Sequence, residues 1–154
     1  MTITFHPDGT VTGGTIKSPG NIIQLINTSE LSSFTCDSTS YEDFTDATLN
    51  ITPSSASSKI LLIWTCYFNN TLVSSHNAQA SYKTLRGSTN LYESFHSAES
   101  GSGGLQTKGT CTQTIIDTPG SASAVTYKVQ TKVSNTSAIC YSYDARLMAF
   151  EIAV

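Results

Sequence analysis

The longest apolar run of the chain, KILLIWTCYF at residues 59–68, follows directly on a Pro/Ser-rich turn at residues 53–58. Apolar side chains occupy both alternate sets of positions in this run. Its length and its Ile, Trp, Thr, Tyr and Phe content favour a β-strand that is covered on both sides. One side is expected to face the core. The other, with Leu61, Ile63 and Tyr67, is expected to be covered by a neighbouring subunit or by a loop. If a subunit covers it, Ile63→Asp should break the trimer.

The remaining chain alternates short β-prone stretches with turns at roughly 8–12-residue spacing and shows no helical periodicity. Residues 27–47 are rich in Ser and Thr and are predicted to be a solvated loop in which Phe34, Tyr41 and Phe44 are isolated anchors. The pattern predicts an all-β fold, an antiparallel, jelly-roll-like β-sandwich over residues 21–154. Strands are predicted over residues 21–26, 48–52, 59–68, 71–75, 78–85, 90–97, 108–117, 124–132, 135–143 and 146–154.

Two turns repeat one pattern. TPSSAS at residues 52–57 and TPGSAS at residues 118–123 differ only where Ser54 is replaced by Gly120, and each leads into a long strand. Two turns with the same corner geometry explain this echo more simply than a duplicated half-domain does, although the sequence leaves both open.

Residues 1–20 are predicted to form a separate arm. Short β-prone stretches flank a His6-Pro7-Asp8-Gly9 turn, which indicates a small hairpin, and a Gly/Ser/Pro linker follows. A two-stranded hairpin is only marginally stable alone, so Ile3, Phe5 and Val11 need another surface to cover them. That surface belongs either to the same domain or to another subunit.

The low charged fraction, 12%, and the net charge of −3 offer no basic stripe for nucleic acid. No apolar run is long enough to span a membrane, and residues 1–30 lack the order of a signal peptide. The sequence therefore predicts neither a nucleic-acid nor a membrane partner. The protein is expected to stay in the cytosol where it is made, or to be released by lysis.

The four cysteines, Cys36, Cys66, Cys111 and Cys140, form no CxxC pair, and no histidine stands at a metal-ligand spacing. Two disulfides are possible in any of three pairings, but the missing signal peptide favours buried free thiols. No serine lies in a GxSxG elbow, and no pair of carboxylates has support as a catalytic pair. We therefore expect no enzymatic activity, no cofactor and no metal.

Aromatic side chains on the strands are candidates for a sugar-binding surface, because aromatic faces stack on sugar rings and planar donors hold hydroxyl groups. Tyr82, Arg86, Tyr92 and His96, with Tyr67 nearby, form this candidate glycan-binding set. Tyrosine is also an ordinary strand residue, so the same residues have a purely structural explanation.

The stretches ITPSSASSKILL at residues 51–62, TPGSASAVTYKVQ at 118–130 and RLMAFEIAV at 146–154 resemble, in this order, the β-rich structural modules of tailed bacteriophages, including cyanophages. This resemblance spans residues 18–154. It implies a virion component, usually trimeric, that acts as a head decoration (cement) protein or as the end of a tail fibre, assembled in the host cytoplasm.

The resemblance supplies no catalytic residue. No fibre shaft precedes the domain, which favours a decoration protein that clamps neighbouring capsid subunits. Its partners would be its own copies and the major capsid protein or another virion protein. The virion anchor would be the arm: Ile3, Phe5, His6, Pro7, Asp8, Gly9 and Val11. The alternative is a tail-fibre or receptor-binding module that recognises a host surface polysaccharide.

Overall fold

The computed structural model describes residues 4–5, 11–12, 19–28, 31–72, 78–98 and 106–154. All regular structure in these residues is β-strand, as predicted, and none of them forms a helix that could cross a membrane. The strands are β1 Thr4–Phe5, β2 Val11–Thr12, β3 Ile22–Asn27, β4 Phe34–Cys36, β5 Glu42–Ile51, β6 Lys59–Leu72, β7 Ala78–Arg86, β8 Thr89–Ala98, β9 Gln106–Asp117, β10 Val125–Val133 and β11 Ala138–Ile152.

Nine of these strands form a sandwich of two antiparallel sheets. The first sheet has the order β3-β11-β6-β9, with β4 also paired to β11, and the second has the order β5-β10-β7-β8. Apart from the β7–β8 hairpin, successive strands from β5 onward alternate between the sheets. This strand order is that of a jelly roll, so the predicted fold class is confirmed.

The core lies between the two sheets. Trp64 of β6 contacts Phe44 of β5 edge-to-face with ring centroids 4.9 Å apart, and Phe44 stacks on Phe34 of β4 at 4.7 Å. Such aromatic pairs add about 0.5–1.5 kcal/mol each beyond the burial of their area. The prediction that one side of residues 59–68 faces the core is confirmed, because alternate residues of β6, from Ile60 to Phe68, all point into this core.

The prediction of a solvated loop over residues 27–47 is wrong, because β4 and most of β5 lie within it. Asp46 of β5 adopts a left-handed backbone conformation with φ of 63°. The buried positions Phe44 and Ala47 are consequently three residues apart, whereas Ala47, Leu49 and Ile51 follow the ordinary spacing of two. This irregularity hides the strand from a search for period-2 alternation.

The last two predicted strands form one continuous strand. β11 runs from Ala138 to Ile152 and pairs with β6 along nearly its whole length, with a register shift between Tyr143 and Arg146. Asp144, inside this shift, has φ of 49°. The bulge changes which residues point inward, and this explains why the sequence suggested a break there.

The two echoed turns share a local hydrogen bond. The backbone N–H of Ser57 donates to the hydroxyl of Ser55 at 3.2 Å, and Ser123 donates to Ser121 in the same way at 2.9 Å. The position that differs in sequence also differs in conformation, since Gly120 has φ of 66° whereas Ser54 is not in this region. The shared serine turn supports the explanation of common corner geometry.

A buried carboxylate, Glu151 of β11, holds the first echoed turn against the first sheet. It accepts hydrogen bonds from the Ser58 hydroxyl (2.6 Å), from the Ser54 N–H and hydroxyl (both 2.7 Å) and from the amide of Gln24 on β3 (2.6 Å). Burial would raise the pKa of Glu151, but these hydrogen bonds outweigh it and lower the pKa to about 2. The carboxylate thus joins β3, β11 and the entry to β6.

Candidate interaction surface

The outer face of the first sheet carries an apolar row that crosses β3, β11, β6 and β9. Leu25 of β3 lies opposite Phe150 of β11, Phe150 opposite Leu61 of β6, and Leu61 opposite Ile116 of β9. Leu25 is 52% and Ile116 64% exposed, while the two middle side chains are half-buried. With neighbouring strands about 4.8 Å apart, the row is roughly 14 Å wide.

Further apolar side chains extend this row along the strands. On one side Met148 of β11 lies opposite Ile63 of β6, and on the other side Ile152 of β11 lies opposite Ile22 of β3, which is 61% exposed. Contiguous exposed apolar surface of this kind marks an interaction site more often than scattered single residues do. We call this surface the apolar face; it consists of Ile22, Leu25, Leu61, Ile63, Ile116, Met148, Phe150 and Ile152.

Of the three predicted interface residues, Leu61 and Ile63 lie on the apolar face and Tyr67 does not. Tyr67 lies on the same side of the sheet, but the row that contains Thr65 and Thr112 separates it from Ile63. Its ring lies 6.4 Å from that of Tyr143, measured between centroids. The outward orientation of all three side chains agrees with the sequence prediction, and their role in subunit contact stays a prediction.

Sequence reasoning missed the other six residues of the apolar face. Met148, Phe150 and Ile152 had a usable signal, because RLMAFEIAV is apolar on both alternate sets of positions, as KILLIWTCYF is. Ile22, Leu25 and Ile116 had none, because their place beside Leu61 depends on strand order and register. Register is a property of the folded sheet and cannot be obtained from one strand.

The outer face of the second sheet is mostly polar by contrast, with Phe95 of β8 as a single exposed, purely apolar side chain among its described residues. Lys128 of β10 forms an ion pair with Asp43 of β5 at 2.8 Å, and Gln130 donates to the same carboxylate. Lys83 and Lys132 lie over the ring of Tyr41, at 3.7 and 4.6 Å from its centroid. Exposed ion pairs of this kind contribute little to stability.

The structure does not bring the predicted glycan-binding residues onto one surface. Tyr82 is fully buried, with its hydroxyl 2.9 Å from Ser142 Oγ, so its assignment as a glycan contact is wrong. His96 packs against Phe68 with ring centroids 4.5 Å apart. Arg86 forms an ion pair with the buried Asp117 at 2.9 Å, which leaves Tyr92 as the most exposed of the four side chains.

Tyr82 belongs instead to a network of buried polar groups between the sheets. Gln113 of β9 donates to the Tyr82 carbonyl (2.9 Å) and to Ser94 Oγ (2.8 Å), and it accepts from Thr84 Oγ1 (2.5 Å). Each contact links β9 of the first sheet with β7 or β8 of the second. Satisfied buried polar groups of this kind fix how the two sheets are aligned.

The predicted anchor lies mostly outside the described residues. Ile3 and the His6-Pro7-Asp8-Gly9 turn fall there, whereas Phe5 and Val11 lie opposite each other in the antiparallel pair β1–β2. This pair agrees with the predicted hairpin. Within the described residues no three His, Cys, Asp or Glu side chains converge as a metal ion would require.

No protein-family model and no curated protein matches the chain. The solved structures similar to it include the infectious bursal disease virus Gx strain, with 12% identity and a TM-score of 0.41 over 100% of this chain and 42% of that one. The VP2 subviral particle of that virus is 12% identical, with a TM-score of 0.38 over 100% of this chain and 42% of that one. Dimeric latent PorU of Porphyromonas gingivalis is 12% identical, with a TM-score of 0.36 over 92% of this chain and 14% of that one. The chain spans less than half of these chains, and such TM-scores assign neither family nor function.

Proposed function

We propose that the chain is a structural protein of a tailed-phage particle: a trimeric capsid decoration protein that clamps neighbouring capsid subunits. The apolar face is the observation that carries this proposal. A domain with few charges presents a row of four in-register apolar side chains, Leu25, Phe150, Leu61 and Ile116, on one outer sheet face. A surface of this kind is stabilised when another protein covers it.

The occupant of the apolar face is a second copy of the chain. Burial of an exposed aliphatic side chain contributes about 1.5–3 kcal/mol, and several such side chains lie together here. In a trimer the contact is heterologous, so the apolar face of one copy meets a different surface of the next. In a two-fold dimer it would meet itself, and the measured oligomeric mass separates these arrangements.

The viral context rests on the sequence and is compatible with the fold. The resemblance to phage structural modules concerns ITPSSASSKILL, TPGSASAVTYKVQ and RLMAFEIAV, which correspond to the two echoed turns and to β11. The jelly roll recurs in viral capsid proteins and also in lectins. Because one fold serves many functions, the architecture supports this context without defining it.

The hairpin of β1 and β2 is the proposed contact with the capsid. It pairs with no other described strand, so it is available to a partner such as the major capsid protein. Three arms on one trimer bind together at high effective concentration, which strengthens a weak individual contact. Binding to the assembled shell would stabilise that shell by mass action.

Deletion of residues 2–12 tests this function. Purified trimers would be mixed with phage heads that lack the protein, and bound protein would be counted by quantitative mass spectrometry and located by electron microscopy. We expect the intact protein on the head surface and no binding of the deletion variant, which should keep its trimeric mass. Normal binding of the deletion variant, or density only at the tail, would contradict the proposal.

A further inference from the structure

The four cysteines are arranged as two directly opposed pairs. Cys66 of β6 lies opposite Cys111 of β9, and Cys36 of β4 lies opposite Cys140 of β11. All four are free thiols and all are buried between the sheets. The register therefore selects one of the three pairings that the sequence leaves open.

The opposed positions meet the geometric requirement of a disulfide. Directly paired residues of antiparallel strands have Cα atoms about 4.5–5.5 Å apart, within the range of about 4.4–6.8 Å that disulfides occupy. Their side chains also point to the same side of the sheet. Both alternative pairings are remote, because Cys36 and Cys140 lie level with Asn70, four residues or about 13 Å along β6 from the row of Cys66 and Cys111.

Each pair joins a long central strand to a peripheral one. β9 is an edge strand of the first sheet, and β4 is a three-residue strand paired to β11. Peripheral strands open locally at lower free-energy cost than central strands do. Such opening gives a small oxidant access to thiols that are otherwise buried.

We propose that Cys66–Cys111 and Cys36–Cys140 are two disulfide-forming sites, which a peroxide closes without rearrangement of the fold. One thiolate attacks hydrogen peroxide and, with one proton, gives a sulfenic acid and water. The opposed thiol then attacks that sulfur, so an S–S bond forms and a second water leaves. Overall two thiols are oxidised to one disulfide, and one peroxide is reduced to two waters.

The first pair should react faster than the second. A hydrogen bond from the Cys66 thiol, opposed by burial and assisted by His96 and Ser94, lowers the pKa of Cys111, and the same hydrogen bond raises the pKa of Cys66. Burial raises the pKa of Cys140 to about 11 and also raises that of Cys36. Thiolate is the reactive form, so Cys111 is the expected first nucleophile.

The surrounding network tolerates the loss of the S–H groups. The Tyr82 hydroxyl lies 3.1 Å from Cys140 Sγ but also 2.9 Å from Ser142 Oγ, so it keeps a partner once Cys140 is oxidised. Ser94 Oγ, 3.7 Å from Cys111 Sγ, accepts independently from Gln113. The inference concerns only the core and does not depend on the proposed function.

The test uses the full chain, purified reduced and exposed to hydrogen peroxide, with remaining thiols blocked by iodoacetamide. Non-reducing peptide mapping should find Cys66–Cys111 first and Cys36–Cys140 later, with no cross-link between copies. Each loop-closing bridge should raise the Tm by about 10 °C. Cys66→Ala and Cys36→Ala form a matched pair, and each should lose one bridge and keep the other.

The inference would be overturned by a Cys66–Cys140 link or by disulfides between copies. It would also be overturned if all four thiols still reacted with iodoacetamide after the treated chain is unfolded. The mapping of the unmodified chain decides the pairing even if an alanine variant fails to fold. An unchanged or lowered Tm in the doubly bridged protein would also overturn it, because the bridges would then distort the native strands.

Discussion

The two sheets of the sandwich cover the same core, yet their outer faces differ in kind. The first sheet presents the apolar row of Leu25, Phe150, Leu61 and Ile116. The second presents ion pairs and amides, such as Lys128 with Asp43 and Gln130. Folding requires apolar side chains only on the inner faces, so the difference must have its cause outside the folding of one chain.

The polar face indicates what the apolar face would look like if it were only in contact with water. Both faces belong to antiparallel sheets that cover the same buried aromatic residues. Among the described residues, Phe95 is a single exposed, purely apolar side chain on the second sheet, whereas the first sheet exposes a contiguous row, which is explained by a partner that covers it.

The largest effect is expected when a charge is introduced into the apolar face. Ile63 points outward between Met148 and Thr114. Ile63→Asp would bury an unpaired carboxylate in the contact, weakening association by about 4 kcal/mol, roughly a thousandfold. Sedimentation equilibrium over a dilution series measures this change.

Thr65→Asp is the matched control, because Thr65 is the next outward residue of β6 and lies beyond the apolar face. We expect it to change association by less than tenfold. Equal weakening by both variants would mean that general charge, and not the apolar face, controls assembly.

A smaller effect is expected when the strands behind the apolar face lose their shared carboxylate. Glu151→Gln would place an amide among donors that now bind a carboxylate, and should cost about 2–4 kcal/mol of unfolding free energy. Since the pKa is lowered to about 2, the stabilisation by Glu151 is present above the unfolded value of 4.5 and is lost as the pH falls toward 2.

Urea unfolding at several pH values tests this expectation. The wild-type chain should lose about 3 kcal/mol more than Glu151→Gln between pH 5 and pH 2. Parallel pH profiles for the two chains would show that Glu151 is not the group responsible.

The smallest effect is expected on the polar face. Hydrogen bonds from Lys128 and Gln130 lower the pKa of Asp43, so its contribution is present above the unfolded pKa and disappears as the pH falls through the lowered one. The side chain of Asp43 is 57% exposed, so screening keeps the contribution of the pair below about 0.5 kcal/mol. Asp43→Asn should leave both the oligomeric mass and the urea midpoint almost unchanged, and a midpoint shift equal to that of Glu151→Gln would contradict the comparison.

The sequence predicted what depends on one strand at a time. The doubly apolar pattern of residues 59–68 correctly indicated the central strand and the outward orientation of Leu61 and Ile63. The prediction from sequence failed for β5, where the backbone of Asp46 interrupts the alternation of buried and exposed residues. It also failed for Tyr82, which faces inward although tyrosine often lies at surfaces. The apolar face and the two cysteine pairs depend on which strands are neighbours and on their register, so no single stretch of sequence specifies them.

The most direct test of the central claim uses one residue from each outer face. Ile116 of β9 and Phe95 of β8 are 64% and 65% exposed and lie on the first and second sheet respectively. The masses of the wild-type chain, Ile116→Lys and Phe95→Lys would be measured by light scattering, all at the same micromolar concentration. We predict a trimer for the wild-type chain and for Phe95→Lys, and a monomer for Ile116→Lys. The claim that the apolar face mediates assembly would be contradicted if the wild-type chain were a monomer. It would also be contradicted if the trimer survived Ile116→Lys and dissociated with Phe95→Lys.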